Sequence, residues 1–475
     1  MLQKRGSLPS REDRVLAVTR LYQAVQDYYC YLEVDKVDWN ATYEKALKSV
    51  ARVRTYREYL QVLEELRGTI HDGHGDGEIY TTGLKGLSDI GVLPFHCLYI
   101  NGQYVVVHSV KKQISPGDIL LSIDGQKTDE WLEEKLGSIV SVMTPDTRQS
   151  TLAFRFCYYY PRGKSFFCAF QGVSGQAYSL TVRAENPSYP LRAMPSLHSH
   201  MIEKNLYSSR YNTLIELPDG IFWLQNHTMQ GGWEDFTGEV LPRIQGAEGV
   251  ILDLRSSEGG NSGIGVGMLE AISGRVLNSS SFRYEYPVKI GFETTFAALL
   301  SGSNGEIRMS ALEGLVDADE LSTVIARGEA MQNGGVRVSG DQYATILKIL
   351  GATFPASLQE EAPFPLPQGT VPIPLVVLID QLSGSAVDTT AQAARDMGIM
   401  TVGTHTAGAT GELFNVDLGG GLSTSFSCFY IFNEEMGTPL NNHGVTAETQ
   451  VDYSADDIRA GLDTQLLAAW RLFGQ

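Results

Sequence analysis

Three short stretches of this sequence hold the residue types that break covalent bonds. In Leu378-Ile379-Asp380-Gln381-Leu382-Ser383-Gly384-Ser385-Ala386-Val387-Asp388, an apolar strand ends, small residues turn the chain, and a helix begins. A serine at a helix mouth is ordinarily an N-cap. The same position gives a nucleophile the free N–H groups and the positive end of the helix dipole. In Asp253-Leu254-Arg255-Ser256-Ser257-Glu258-Gly259-Gly260-Asn261, a second apolar strand runs into paired glycines. Such a turn is either plain punctuation or a way of aiming backbone N–H groups at an oxyanion. In Asp72-Gly73-His74-Gly75-Asp76, a histidine sits among glycines and carboxylates. It reads as a generic loop residue or as a base that a flexible backbone can position.

The elements that must position these residues follow from periodicity. Residues 10 to about 70 predict helices: Ser10 with Asp13 resembles a capping box, and Val15, Val18, Tyr22, Val25 and Tyr29 recur on one helical face. Further helical stretches span 43–53 and 56–66. From about 90 to 185 the period moves toward two. YINGQYVVV (99–107) predicts a hairpin with Asn101-Gly102 as a type I′ turn. TDEWLEEKLGSIV predicts a helix, and LAFRFCYYY and YSLTVRA predict strands. The phrase PGDILLSIDG (116–125) in this order resembles a PDZ domain, a module that binds extended peptide ends by strand addition.

A Pro-, Ser- and His-rich linker (186–208) precedes alternating strands and helices: TLIEL, IFWLQNH, a helix near 233–245, VILDL, LVVLI, a helix from Ala386 to about Met397, and IMTVG. That alternation predicts an α/β layer with parallel pairing. Residues 281–370 interrupt it, with helical stretches in SALEGLVDADELSTVIARGEAM and DQYATILKILG. They read as an insertion overhanging the site. DDIRAGLDTQLLAAWRLF predicts one terminal helix.

Composition narrows the class. The chain has 475 residues, too many for one ordinary core. Lys and Arg number 37 against 55 Asp and Glu, a net charge of −18, which argues against nucleic-acid or anionic-membrane partners. No apolar run approaches the ~18 residues of a membrane span. The opening MLQKRGSLPSREDR carries no apolar core of a secretory signal. Five scattered cysteines without CxxC predict buried thiols rather than a zinc framework, a Cys157–Cys168 bridge remaining open. His198 and His200 form an HxH pair without a third ligand cluster, so no metal or other cofactor is expected.

Together, DGH, DLRxxxGG and a strand-end SGSA resemble the C-terminal processing and tricorn-core family of serine peptidases. Val402-Gly403-Thr404-His405-Thr406-Ala407-Gly408 and His443-Gly444-Val445 resemble later motifs of that family. The resemblance implies a crotonase/ClpP-like α/β core with a helical N-terminal region and a PDZ-like β domain. The expected division is 1–85, 86–190 and 191–475, with the insertion inside the last. It implies Ser385 as nucleophile and an oxyanion hole from the N–H groups of Ala386 and of Gly259 or Gly260. The processing branch uses a downstream lysine, but Ala409 stands in its place and no lysine follows Lys348. The tricorn-like branch uses a histidine that matches His74.

The outer shell departs from that branch. Asn441 stands where a carboxylate is expected, and Gly73 where a serine can precede the histidine. Asp72, Asp76 or Asn441 are left to orient the ring. Asp388, in the first helical turn, Asp396 near its end, and Glu412 after TAGATG complete the acidic residues near these motifs. The expected activity is peptide-bond hydrolysis of a peptide or protein partner, with self-association left open. A pseudo-peptidase that binds without cleaving and a small-molecule esterase are the alternatives. Many family members in bacteria are exported, which bears on compartment only by resemblance.

Overall fold

The computed structural model describes residues 8–29, 32, 37–74, 79–81, 90–157, 160–185, 197–199, 201, 204–255, 257–277, 282–285, 337–339, 371–411, 413–428, 430–433 and 437–474. Three helices open the chain: α1 (Arg11–Tyr28), α2 (Trp39–Val50) and α3 (Tyr56–Gly68). Each start is capped by a side chain. Ser10 accepts from the Asp13 N–H, Asp38 from Ala41, and Thr55 and Glu58 form a complete capping box. The face α1 buries runs through Ala17, Val18, Leu21, Ala24 and Val25, slightly rotated from the expected stripe. Tyr22 is instead half-buried and stacks on Trp39 and Tyr43.

The next unit is a six-stranded sheet with two helices. Its main strands are β1 (Phe95–Ile100), β2 (Gln103–Ser109), β3 (Ile119–Ile123), β4 (Ser165–Gln171) and β5 (Ala177–Arg183), hydrogen-bonded in that order. The two-residue strand Gln126–Lys127 pairs with β3. Asn101 (φ 47°) and Gly102 (φ 78°) make the β1–β2 turn, which needs two positive φ values. Helix α4 (Thr128–Leu136) agrees with its pattern.

LAFRFCYYY is not a strand. Through Cys157 it belongs to helix α5 (Pro145–Cys157). Its aromatic composition favours strand, but Leu152, Ala153, Phe156 and Cys157 are buried at helical spacing. Phe156 packs edge-on against Trp131 and Phe166. The strand is instead SFFCAFQ, whose alternate residues Phe166, Cys168 and Phe170 are buried. Cys97, Cys157, Cys168 and Cys428 are buried free thiols, so the Cys157–Cys168 bridge is excluded.

The third unit is built on a seven-stranded sheet. Its strands are β6 (Lys204–Ser208), β7 (Asn212–Glu216), β8 (Ile221–Asn226), β9 (Gly249–Asp253), β10 (Leu375–Ile379), β11 (Met400–Gly403) and β14 (Thr449–Gln450), in that spatial order. Pairing is antiparallel up to β8 and parallel beyond it. Every residue of β9 and β10 is buried, as apolar strands covered on both faces require. Helices α6 (Ser262–Ser273) and α7 (Ala386–Asp396) cover one face, where Met268, Leu269, Val387 and Ala391 meet Leu252 and Val377. On the other face, Leu466 and Ala469 meet Ile251, Leu378 and Val402.

A hairpin, β12 (Leu413–Gly419) and β13 (Leu422–Ser427), returns to the N-terminal helices. Its Val416, Leu418, Leu422 and Phe426 share a core with Leu21, Leu63 and Leu66. The expected terminal helix is two, α8 (Ala455–Ala460) and α9 (Thr464–Arg471). Gly461 ends the first in the left-handed conformation (φ 64°), and Asp463 caps the second. Strands Phe282–Glu285 and Arg337–Ser339 form a sheet with Tyr430–Asn433. The two helical stretches expected between 281 and 370 lie outside the described residues.

Candidate active site

Strands β9 and β10 are parallel neighbours, with Asp253 opposite Leu378. Both motif turns therefore leave the same carboxyl-terminal edge of the sheet, where α/β sheets gather their sites. At the second turn Ser385 adopts φ 60°, ψ −127°, a conformation sparsely populated by residues with a side chain. Its side chain makes no cap bond to the following helix. The ordinary N-cap role is thus not filled, and the hydroxyl faces elsewhere. Ser385 Oγ lies 3.1 Å from Nε2 of His74, a residue 311 positions away in sequence.

The turn is held by backbone bonds. Ser385 N–H donates to Ala409 O (2.6 Å), Ala407 N–H to Ser383 O (2.6 Å), and Asp388 N–H to Ser385 O (3.0 Å). Among the described residues no backbone acceptor takes the Ala386 N–H, the first of helix α7. Gly259 (φ 73°) lies directly against the serine: a Cβ there would meet Ser385 Cβ at 2.9 Å and Oγ at 3.3 Å. A Cβ on Gly260 (φ 134°) would meet the Met229 carbonyl carbon at 2.3 Å. Both glycines are required by close approach, Gly259 to Ser385 and Gly260 to the Met229 backbone. The Gly259 N–H has one long bond, 3.4 Å to Ser257 Oγ.

His74 is held from behind. Asp72, 2% exposed, accepts the His74 backbone N–H at 3.0 Å. The same carboxylate accepts the Ser427 N–H (2.5 Å) and hydroxyl (2.9 Å) and lies 3.5 Å from Arg67 Nη2. Arg67 is fully buried, and its Nε donates to Ser425 O at 3.0 Å. Asp72 is therefore brought to the site as support for the histidine's backbone. The Asn441 amide is engaged with the Thr410 carbonyl and the Ile431 N–H. Asp76, His200 and Glu412 lie outside the described residues. His198 ties the chain to the C-terminal helices through Gly461 O and the Asp463 N–H. Asp396 accepts from Gln392 and Asn433 at the end of α7.

Several contributors carried no sequence signal. Arg67 ends an ordinary amphipathic helix and reads as a surface residue. The link between α4 and α5 touches both sides of the site. Val142 fills the space beside Gly73, where an added Cβ would meet its Cγ2 at 2.9 Å. That contact explains a glycine at a position where the tricorn-like branch can have a serine. Thr144 Oγ1 donates to Ala407 O (2.7 Å) and Thr147 Oγ1 to Gln381 O (3.0 Å).

Two carboxyls of the turn are unusual. Burial pushes Asp388 up to about 7, against the opposing bonds from Thr406 and the Gly408 and Ala409 N–H groups. Burial also pushes Asp380 up to about 6, against the nearby Arg255 charge and its bonds to Leu382 and Ser383. Arg255 itself is clamped between Asp253 and Asp463, with Tyr453 and Gln465 alongside. Burial disfavours its charge, but Asp253, Tyr453 and Asp463 outweigh that and hold the guanidinium firmly protonated. This cluster fixes the end of β9 to the C-terminal helices.

Among the described residues no group of three or more His, Cys, Asp or Glu is arranged to hold a metal ion, and no helix is long and apolar enough to cross a membrane. Residues 221–451 match the model of peptidase family S41, and residues 20–68 that of the tricorn protease C1 domain. No curated protein matches the chain in sequence. Among solved structures the fold is similar to mature CPAF (TM-score 0.71, 17% identity, 98% of each chain covered). It is likewise similar to mature CPAF complexed with lactacystin (TM-score 0.69, 18% identity, 98% of each chain covered). At these identities the likeness is one of fold.

Proposed function

We propose that this chain, whose residues 221–451 match peptidase family S41, is a serine endopeptidase using Ser385 and His74. The 3.1 Å approach of His74 Nε2 to Ser385 Oγ carries the reading. His74 takes the hydroxyl proton as Ser385 Oγ attacks a peptide carbonyl, then returns it to the leaving amine. The N–H groups of Ala386 and of Gly259 or Gly260 stabilise the oxyanion that forms between. Water then repeats the sequence on the acyl-enzyme and frees the serine.

The substrate is a peptide or protein. The core is crotonase/ClpP-like, a reading supported by the strand–turn–helix units on β9 and β10. The unit at 86–190 is PDZ-like, supported by PGDILLSIDG leading into and out of β3 within a helix-capped sheet. A weakened or non-cleaving variant of the same site is the second reading. It is favoured by Asn441, a neutral amide where a carboxylate is expected.

A fluorophosphonate probe tests both. It should label the wild type and leave Ser385→Ala unlabelled with its fold intact. Equal labelling of the two proteins overturns the nucleophile assignment, and absent labelling of the wild type favours the second reading. Lactacystin, bound in the mature CPAF complex, should compete with the probe if the two pockets share chemistry. A panel of matched peptides and esters separates a peptidase from an esterase.

A further inference from the structure

Nucleophile and base come from regions 311 residues apart, so something must set their separation. One short stretch touches both. The Ala409 carbonyl accepts the Ser385 N–H at 2.6 Å. The Ala409 methyl faces the residues preceding both catalytic side chains. A Cβ on Gly384 would lie 3.4 Å from it, and a Cβ on Gly73 would lie 3.5 Å from it. On its far side this stretch is bound to Asp388. The two carboxylate oxygens divide the work, with Oδ1 accepting the Gly408 N–H at 2.9 Å and Oδ2 the Ala409 N–H at 3.1 Å. Asp388 is fully buried and belongs to the first turn of the nucleophile helix. Its own N–H donates to Ser385 O.

Resting on the Ser385–His74 reading, we propose that Asp388 is a positioning residue, which through residues 408–409 sets the distance between nucleophile and base. Two parallel N–H donors need two acceptors in one plane, which a carboxylate supplies. An isosteric asparagine presents one oxygen and one NH2 group, so one donor must turn away. Residues 408–409 then shift relative to Ser385. The separation from the base changes with them, because the Ala409 methyl lies between Gly73 and Gly384. Displacement of a reacting pair by about 1 Å is enough to cost ~10²-fold in rate.

The test measures the second-order rate constant of fluorophosphonate labelling per active site, together with kcat and KM on any cleaved peptide. Asp388→Asn should lower the labelling rate constant and kcat by ~10- to 100-fold with KM little changed. A merely structural aspartate would instead reduce the fraction of molecules labelled and leave the rate constant of the folded fraction unchanged; that result overturns the proposal. Should Asp388→Asn not fold, Ala409→Leu decides. Ala409 is half-exposed, and leucine there adds bulk between Gly73 and Gly384 without touching the carboxylate. Labelling slowed by at least ~10-fold at full stoichiometry sustains the proposal, and a wild-type rate overturns it. Failure of the wild type itself to label counts against the underlying peptidase reading and is thereby told apart from either outcome.

Discussion

The two halves of the site are built in opposite ways. The Ser385 turn is assembled mainly from near neighbours: a buried strand, a tight turn, the first turn of a helix, and the backbone of 407–409. The His74 loop leaves a helix end and is held by side chains reaching across the molecule. Arg67 and Asp72 meet Ser425 and Ser427, 358 and 355 residues on. A site half made this way has one half as rigid as its sheet and another as secure as one buried polar network. Loss of a reacting side chain should act on chemistry alone, and loss of the Arg67–Asp72 network on chemistry and stability together.

The largest separation of the two should come from the proposed nucleophile and base themselves. His74→Ala should slow probe labelling by at least ~10², the scale of general-base loss, with the melting temperature nearly unchanged. An unchanged rate would point to another base. The acid side of the rate profile should fall as well, because only a neutral imidazole accepts the serine proton and because Asp388, raised to about 7 by burial, also takes up a proton there. A labelling rate flat toward acid pH would speak against His74.

Arg67→Met should do what His74→Ala does not. It leaves the buried Asp72 charge without its cation, at a cost of roughly 3–5 kcal/mol in unfolding free energy. Adding Asp72→Asn should restore part of that stability without restoring the rate, because the His74 backbone has lost its charged acceptor. Denaturant melts of the single and double variants check this. Purely additive losses would mean that the pair is not coupled.

Gly73→Ser should be milder. The new Cβ meets Val142 Cγ2, an overpacking of ~1–3 kcal/mol that also displaces the base. Val142→Ala should relieve it, which labelling of the double variant reads directly.

The smallest effect on labelling belongs to the Ser385 side, where the change is one of stability. Asp380 holds its proton up to about 6 in the folded protein, above the carboxyl range of an unfolded chain. The native state therefore binds more protons than the unfolded state from about pH 4 to about 6, and stability declines as pH rises through that window. Asp380→Asn should flatten the decline by ~2–3 kcal/mol. Melting temperatures of both proteins from pH 4 to 8 measure it.

The same contrast governs what could be read without coordinates. Apolar VILDL and LVVLI followed by small residues gave away parallel strands ending in turns, and Asn101-Gly102 marked a hairpin. These are short-range constraints in which a few adjacent residues nearly determine the backbone. Where packing outweighed local preference, the reading failed. The aromatic stretch up to Cys157 became a helix because its apolar side chains face the core at helical spacing. One expected terminal helix became two because Gly461 sits in the left-handed region.

Sequence alone singled out Ser385, His74 and the paired glycines as candidates by residue type and turn context, and the resemblance to a peptidase family, not local geometry, gave them their expected roles. It named Asp72 as a candidate to orient the His74 ring, not as an acceptor of the backbone N–H, and nothing in it marked Arg67, Val142 or Ser427 as supports. Only the tertiary structure decided that His74 meets Ser385, that Asp72 grips a backbone N–H, and that Ala409 lies between the two halves. Those facts depend on separations of hundreds of residues being closed by packing, and no local pattern of side chains encodes such a distance.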